Sequence, residues 1–512
     1  MIINLTGESV SLQQVWEVAH YSPRPNVQIS AEAIKKVKQS RKFIVERVNQ
    51  GQVIYGVNTG FGAFSDVQIS DEELVQLQKN LIRSHSVGVG EPFTLSETRA
   101  IMFLRANALV RGHSGIRLKV VEKILEFLNN EVIPVIPSQG SVGASGDLAP
   151  LSHLALALMG EGKVWDQGLV VDAKKVLQKK GIEPLELKMK EGLSLINGCQ
   201  VMTAVGLLNI WQARRLLWMM DLAGAMSLEA LKGARSAFDP LIAATRLHPG
   251  EAKTARNMLR LLGESSSISE SHVQCGRVQD AYSLRCIPAV HGAAKDALNH
   301  IVKVLEVEAN SSTDNPLVFS DKGKILSCGN FHGEPVAFAL DYAAIAMSGA
   351  TSMSECRIEK LINPSMSGLP AFLAPKGGLN SGLMIVQVAA AALVSENKIL
   401  SHPASVDSIP TSADKEDHVS MGTISARKFG SIIKNAENVV AMELLCGTQA
   451  LDLLKPLEPS GAVKAAYDLI RTQVPFAEQD RIFHDDIHTI KKLIQNDDLM
   501  EVIKESVGGL EC

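Results

Sequence analysis

The chain has 512 residues, 46% of them hydrophobic but only 4% aromatic, so a large core must be filled by Ala, Leu, Val, Ile and Met. That favours packed helices over a sheet sandwich. Its 51 basic and 55 acidic residues nearly cancel, which leaves no electrostatic case for nucleic acid or an anionic membrane as a partner.

At the N-terminus MIINLTGESV lacks a basic and then apolar leader, and the seven cysteines are scattered without a CxxC pair; a reduced cytoplasm is expected. Ser11 is placed to cap a helix through Val15, Trp16 and Val18, and a second helix, rich in Lys and Arg, follows Ser30. YGVNTGFG, from Tyr55 to Gly62, carries three glycines in eight residues and must be irregular. From about Ser96, Ile101, Leu104, Ala108 and Leu109 keep helical spacing until Gly112. Ser114 is expected to cap the next helix, whose apolar face is Val121, Ile124, Leu125 and Leu128. Pro134 and Pro137 then force an extended approach to GSVGASGDLAP, from Gly140 to Pro150, after which LAPLSHLALAL starts a helix.

Hairpins are predicted around Asp166-Gln167-Gly168 and around Asp321 to Gly323. The rest of the second half reads as long helices over 199–231, 287–309, 331–361, 379–400 and 425–454. Several are apolar almost all round, as in the middle of a bundle, with surface enough to bury against other subunits. Apolar runs broken by Gln387, or by Arg214, Arg215 and Asp221, do not read as membrane spans. The expected fold is therefore mainly all-α: a smaller mixed helical and loop domain over 1–112, a long-helix bundle over 113–512, and minor β-hairpins.

Within the bundle the run Ala144-Ser145-Gly146 has a specific chemistry. If the turn is tight enough, the Gly146 amide nitrogen attacks the Ala144 carbonyl carbon, water is lost to give an imidazolone, and a second dehydration across Cα–Cβ of Ser145 leaves a conjugated methylidene. The nucleophilic amide needs a residue without a Cβ, and the middle residue needs a β-hydroxyl to eliminate. Ala-Ser-Gly alone is also an ordinary turn. The spacing GxxGxxG from Gly140 is no phosphate loop, because no Gly-Lys-Ser/Thr follows. His484 and His488 in HDDIH stand at i and i+4 without a third ligand in spacing, which suits an exposed helix face better than a metal site. Asn197 in INGCQ, Gln279, Asp280, Tyr282 and Arg285 in VQDAYSLRC, and Glu416, Asp417 and His418 in EDHVSMG together offer an amide, a phenol, a cation for a carboxylate, and a carboxylate, the equipment of a small amino-acid site.

Taken with NLIRSHSVGVG, TDNPLVF, GNFHGEP and GLNSG, these segments closely resemble the aromatic amino acid ammonia-lyase family, in the family's order and over essentially the whole chain. The resemblance implies the histidase/fumarase-like helical fold and a 4-methylideneimidazole-5-one made from Ala144, Ser145 and Gly146, with no dissociable organic cofactor and no metal required. It further implies that Asn197 bonds near the ring oxygen, that Tyr55 takes the β-proton, and that Arg285 binds the substrate carboxylate. Tyr282 and Gln279 would orient ring or substrate, Phe331 would form an aromatic wall, and Glu416 would meet the amine or imidazole. Ser84-His85 and Glu416-Asp417-His418 look like the histidase branch, so the implied reaction is L-histidine to trans-urocanate and ammonia. The implied assembly is a homotetramer whose active sites are shared between subunits. An aminomutase or a tyrosine or phenylalanine lyase of the same chemistry is the alternative, and a non-catalytic helical assembly is the alternative of another class. Ala281, Cys199 and Asp414-Lys415 depart from the family's usual proline, threonine and Asn-Gln.

Overall fold

The computed structural model describes residues 1–64, 66–70, 72–276 and 278–512. Its helices begin where local chemistry satisfies the first free amides. Ser11 heads Leu12–His20 with a reciprocal box, its Oγ accepting from Gln14 N (3.3 Å) while Gln14 Oε1 accepts from Ser11 N (3.1 Å). Ser30 caps Ala31–Asn49 through Ala33 N at 3.2 Å, and Thr94 with Glu97 repeats the box ahead of Leu95–Val110. This last helix is buried continuously from Thr98 to Val110, Arg99, Arg105 and Asn107 included, because Leu12–His20 and Leu118–Asn129 pack around it.

Ser114 does not cap the helix that follows. Gly115 turns the chain with φ +67°, and Leu118–Asn129 starts after Arg117, whose backbone N–H and Nε both donate to Glu191 Oε1 (3.1 and 2.7 Å). A buried carboxylate thus sets that boundary.

The strands are short. Ile2–Leu5 pairs in parallel with Asn26–Ile29, a pairing not predicted, and Val89–Pro92 pairs antiparallel with Pro137–Gln139, fixing the extended entry to the Gly140 loop. Lys163–Asp166 and Leu169–Asp172 form the first expected hairpin, with Ile133–Pro134 added beside it, and Leu317–Phe319 with Lys324–Leu326 form the second.

The mainly helical class is as expected. Ile287–Ala309 has the expected bounds, Gln200–Ala230 and Gly422–Leu453 differ by a few residues, and two helices start late. Glu334–Ile362 is delayed because Gly333 N donates to Gly143 O (3.5 Å), and Met384–Leu400 because Leu383 N donates to Phe372 O (2.9 Å) across a turn. By length and composition Glu334–Ile362 would be apolar enough to cross a membrane, but 61% of its apolar window is buried inside the protein.

The chain packs as two compact units: 1–211 with 301–341 and 403–427, and 212–300 with 342–402 and 428–512. Residue 112 lies inside the first. The second unit contains a buried ionic network. Glu443 accepts from Ser227 Oγ (2.7 Å), from Ser354 and from Arg357 Nη2 (2.9 Å), while Asp221 accepts from His291 Nδ1 (2.8 Å), Asn257 Nδ2 (2.8 Å) and Lys295. Arg357 and Glu443 are both fully removed from solvent, so each carries the other's charge.

Candidate active site

The loop from Gly140 to Asp147 lies in the first unit and is held from several sides. Val142 O accepts from Met421 N (2.8 Å), Gly143 O from Ser420 Oγ (3.0 Å), and Gly143 N donates to Ser141 Oγ (3.2 Å). Asp147 is fully buried. Its N–H donates to Gly198 O (2.8 Å), one carboxylate oxygen accepts from Val201 N and Met202 N (2.9 Å each), and the other from Ser141 Oγ (3.1 Å) and Thr423 Oγ1. Burial pushes this carboxyl above its ordinary value, opposed by those hydrogen bonds. Asp147 precedes Leu148–Leu158 but makes no side-chain cap there; it caps Gln200–Ala230 instead. The first turns of Leu148–Leu158, Gln200–Ala230, Glu334–Ile362 and Gly422–Leu453 therefore all begin at this loop, and their positive dipole ends converge on it.

Within the loop, Gly146 takes φ +72° and pairs with Gly198. A Cβ at residue 146 would lie 2.3 Å from both the carbonyl carbon and oxygen of Gly198, so only glycine fits. Ser145 O accepts from Asn197 Nδ2 (2.9 Å), and Ser145 Oγ donates to Glu416 Oε1 (2.8 Å). Asn197 Oδ1 is buried with no hydrogen-bond partner among the described residues. The segment carrying Asn197 is fixed from behind: Arg105 donates to Gln200 and to Ser194 O, and Lys190 Nζ donates to both Asp314 oxygens (2.9 Å) and to Ser194 Oγ (3.1 Å). Complete burial brings the Arg105 guanidinium down to about 10. Glu416 is fixed by Thr411, whose Oγ1 donates to Glu416 Oε2 (2.8 Å), after a turn in which Ser412, Ala413 and Asp414 all take left-handed φ of 53°, 53° and 61°. Such a run costs on the order of 1 kcal/mol per residue and is held by its surroundings.

These groups open onto a cavity of about 840 Å³, whose lining includes Tyr55, His85, Ser145, Asn197, Phe331 and Glu416. Tyr55 Oη accepts from Gly62 N (3.3 Å), which ties the phenol into its own glycine loop. Ser84 Oγ donates to Leu81 O (3.1 Å), so it accepts from His85 Nδ1 (3.0 Å), and His85 Nε2 keeps a free lone pair. Burial lowers the His85 imidazole from its ordinary value, opposed by the Leu81 carbonyl and the Glu416 charge. Cys199 donates to Phe331 O (3.1 Å), so its thiol sits against the backbone of a residue that lines the cavity.

Three expected residues are not among those lining the cavity. Gln279, Tyr282 and Arg285 belong to the second unit, where Arg285 Nε donates to Asp280 O (3.1 Å) and its guanidinium sits 4.6 Å over the Tyr282 ring. Tyr282 is 70% exposed. His484 and His488 lie exposed on Phe483–Gln495, as a surface helix face requires. The hydroxyls of Ser141, Thr411, Ser420 and Thr423, which secure the loop and Glu416, were not singled out from the sequence. For Ser141, Ser420 and Thr423 the available signal is their place beside glycine in SVG and SMGT; Thr411 carries none.

A family model described as aromatic amino acid lyase matches residues 10–472. The histidine ammonia-lyase of Natranaerobius thermophilus is 47% identical over 511 residues, covering 100% of each chain. The crystal structure of histidine ammonia-lyase from Trypanosoma cruzi matches with a TM-score of 0.92 at 44% identity, over 99% of this chain and 96% of that one. A tyrosine aminomutase from Streptomyces globisporus matches with a TM-score of 0.94 at 38% identity, over 99% of each. With this match over nearly the whole chain, and with Ser145, Asn197, Tyr55 and Glu416 assembled around one cavity, the chain belongs to the aromatic amino acid lyase family.

Proposed function

We propose that the protein is a histidine ammonia-lyase that converts L-histidine to trans-urocanate and ammonia. The observation that carries this reading is Ser145, with its carbonyl on Asn197 and its hydroxyl on Glu416, facing a cavity that also presents His85. His85 Nε2 and the Glu416 carboxylate are two acceptors, which suit the two N–H groups of a protonated imidazole ring. A site built to hydrogen-bond a ring rejects analogues lacking those nitrogens, because its own polar groups are left unpaired.

The residues present fit a 4-methylideneimidazole-5-one formed from Ala144, Ser145 and Gly146. Position 146 admits no Cβ, the Asn197 amide already donates to the oxygen the ring would carry, and Asn197 Oδ1 is left unpartnered among the described residues. The group supplies an electron-poor methylidene, the electron sink required when the β-proton is weakly acidic and ammonium is a poor leaving group. Around it, Asn197 and the converging helix N-termini favour negative charge on the Ser145 carbonyl oxygen. Tyr55, whose phenol oxygen is positioned by the Gly62 amide at the cavity wall, is the base for the β-proton. Phe331 walls the ring, and Glu416 and His85 orient it.

The assembly is a cytoplasmic homotetramer in which Gln279, Tyr282 and Arg285 complete the cavity of a neighbouring subunit, Arg285 taking the substrate carboxylate. Support comes from the exposure of Tyr282, from exposed Tyr342, Ile345, Ile385, Val388 and Ile399 on long helices of the second unit, and from seven free cysteines. Mixing Glu416→Gln with Arg285→Ala chains under conditions that exchange subunits restores activity if sites are shared; no recovery rejects sharing.

The activity itself is tested by incubating the purified protein with L-histidine, with and without borohydride pretreatment, beside its intact mass. Urocanate without β-histidine, its loss after borohydride, and a mass two waters below the calculated value are expected. The full calculated mass together with no urocanate refutes the proposal.

A further inference from the structure

Near the reacting turn, but not among the residues lining its cavity, His332, Glu334 and His418 bring one donor atom each to within 4.8 Å of one another. Glu334 Oε2 is shielded from water and has no hydrogen-bond partner among the described residues. A shielded carboxylate oxygen without a partner is costly, and it calls for a cation. Its nearest basic atoms are two imidazole nitrogens, His332 Nδ1 at 3.9 Å and His418 Nε2 at 3.8 Å, both beyond hydrogen-bond length. The other nitrogen of His332 is already engaged, because Nε2 lies 3.2 Å from the His418 carbonyl oxygen and must carry the proton to donate there. That tautomer leaves the Nδ1 lone pair on the side of Glu334, where it accepts from the Glu334 backbone N–H at 3.3 Å, a long contact that a bound ion would replace. The two rings are nearly parallel, 5° apart in plane with centroids 5.6 Å apart, so the side chains stack beside the carboxylate.

We propose that His332 Nδ1, Glu334 Oε2 and His418 Nε2 form a binding site for a divalent transition-metal ion of the zinc class. Two imidazoles and one carboxylate are a donor set that zinc and its neighbours favour, and hard cations such as magnesium do not. A metal-bound histidine also characteristically donates its second N–H to a carbonyl or carboxylate, as His332 does to His418. Ligands on one tetrahedral zinc stand about 3.3 Å apart. The two separations to Glu334 exceed this by about half an ångström, all three donor atoms lie within 4.8 Å of one another, and the His418 side chain, 67% exposed, has room to rotate inward. Bound there, the ion ties the start of Glu334–Ile362 to the segment that carries Glu416, two residues before His418. The ion takes no part in ammonia elimination, so the inference stands whether or not the proposed reaction does.

The test uses the full-length protein freed of metal by a chelator and titrated with Co2+ while its visible absorption is recorded, then with Zn2+ by calorimetry. One ion per chain, cobalt bands displaced by Zn2+, and no competition from Mg2+ are expected. Glu334→Gln and His418→Asn, each checked for native circular dichroism and elution volume, lower Zn2+ affinity at least about ten-fold. The double variant His484→Gln/His488→Gln binds as the parent does. Absence of saturable binding, unchanged affinity in Glu334→Gln and His418→Asn, or loss of binding in the His484/His488 variant overturns the site.

Discussion

Glu308 on Ile287–Ala309 gives a stability prediction that the ordinary behaviour of a surface glutamate does not. Burial raises its carboxyl to about 7 from an ordinary 4.5; the nearby Asp147 charge adds to the rise, and a hydrogen bond with Cys199 opposes it. Between pH 4.5 and 7 the folded protein therefore holds this proton while the unfolded chain has lost it. The raised value means that the contribution to stability is fully present below 4.5 and is lost as pH rises through about 7. The gap corresponds to about 3 kcal/mol, an upper bound because Glu308 keeps some solvent exposure. Glu308→Gln cannot titrate, so it stays close to the parent near pH 5 and becomes the more stable of the two by pH 8. Urea midpoints of both proteins, measured from pH 5 to 8 at one protein concentration, read this directly, since assembly makes the midpoint concentration-dependent. A difference that stays constant with pH, or that grows in favour of the parent as pH rises, refutes the reasoning.

Gly146→Ala places a methyl carbon against the Gly198 backbone at a left-handed φ, so intact mass is expected to show both waters retained and histidine turnover to be absent; a mature mass contradicts the geometry. Glu416→Gln removes the charge from the hydrogen bond proposed between this carboxylate and the substrate imidazole, of a kind worth about 1.5–3 kcal/mol, so kcat/KM for histidine should fall by about ten- to two-hundred-fold. An unchanged value removes Glu416 from the site. Arg357→Met strands the buried Glu443 carboxylate and should cost about 3–5 kcal/mol in urea unfolding, with Arg357→Met/Glu443→Met recovering most of the loss. Additive losses in the double variant would show that the two charges act independently.

The long helices were legible because their apolar residues continue for twenty or more positions, and no tertiary contact has to be known to see that. Their starts were less so. Phe331 to Gly333 has helical composition, but the Gly333 amide is drawn to Gly143, nearly two hundred residues earlier. Ser114 has the chemistry of a cap, yet Glu191 captures the amide of Arg117 and moves the boundary. The parallel pairing of Ile2–Leu5 with Asn26–Ile29 was invisible for the same reason, since four-residue strands carry too little periodicity to announce a partner. At the site, Ser145, Asn197, Tyr55, His85, Phe331 and Glu416 line one cavity, while Gln279, Tyr282 and Arg285 of the same motif set do not. The hydroxyls that brace them do not stand out, because serine and threonine are common and only their three-dimensional targets give them a role.

The carboxylate of Asp147 meets Val201 and Met202 some fifty positions ahead and Thr423 some 276 positions ahead, while Ser145 meets Glu416 271 positions ahead. Contacts of that sequence separation form only after a large loop-closure entropy has been overcome, so they belong to the late part of folding. The turn at Ala144-Ser145-Gly146 thus lacks the braces from Glu416, Ser420, Met421 and Thr423 in any chain not yet synthesised and packed through residue 423. Covalent maturation at this turn would accordingly serve as a chemical record that folding of the first unit had finished, and a truncated or misfolded chain would carry an unmodified serine.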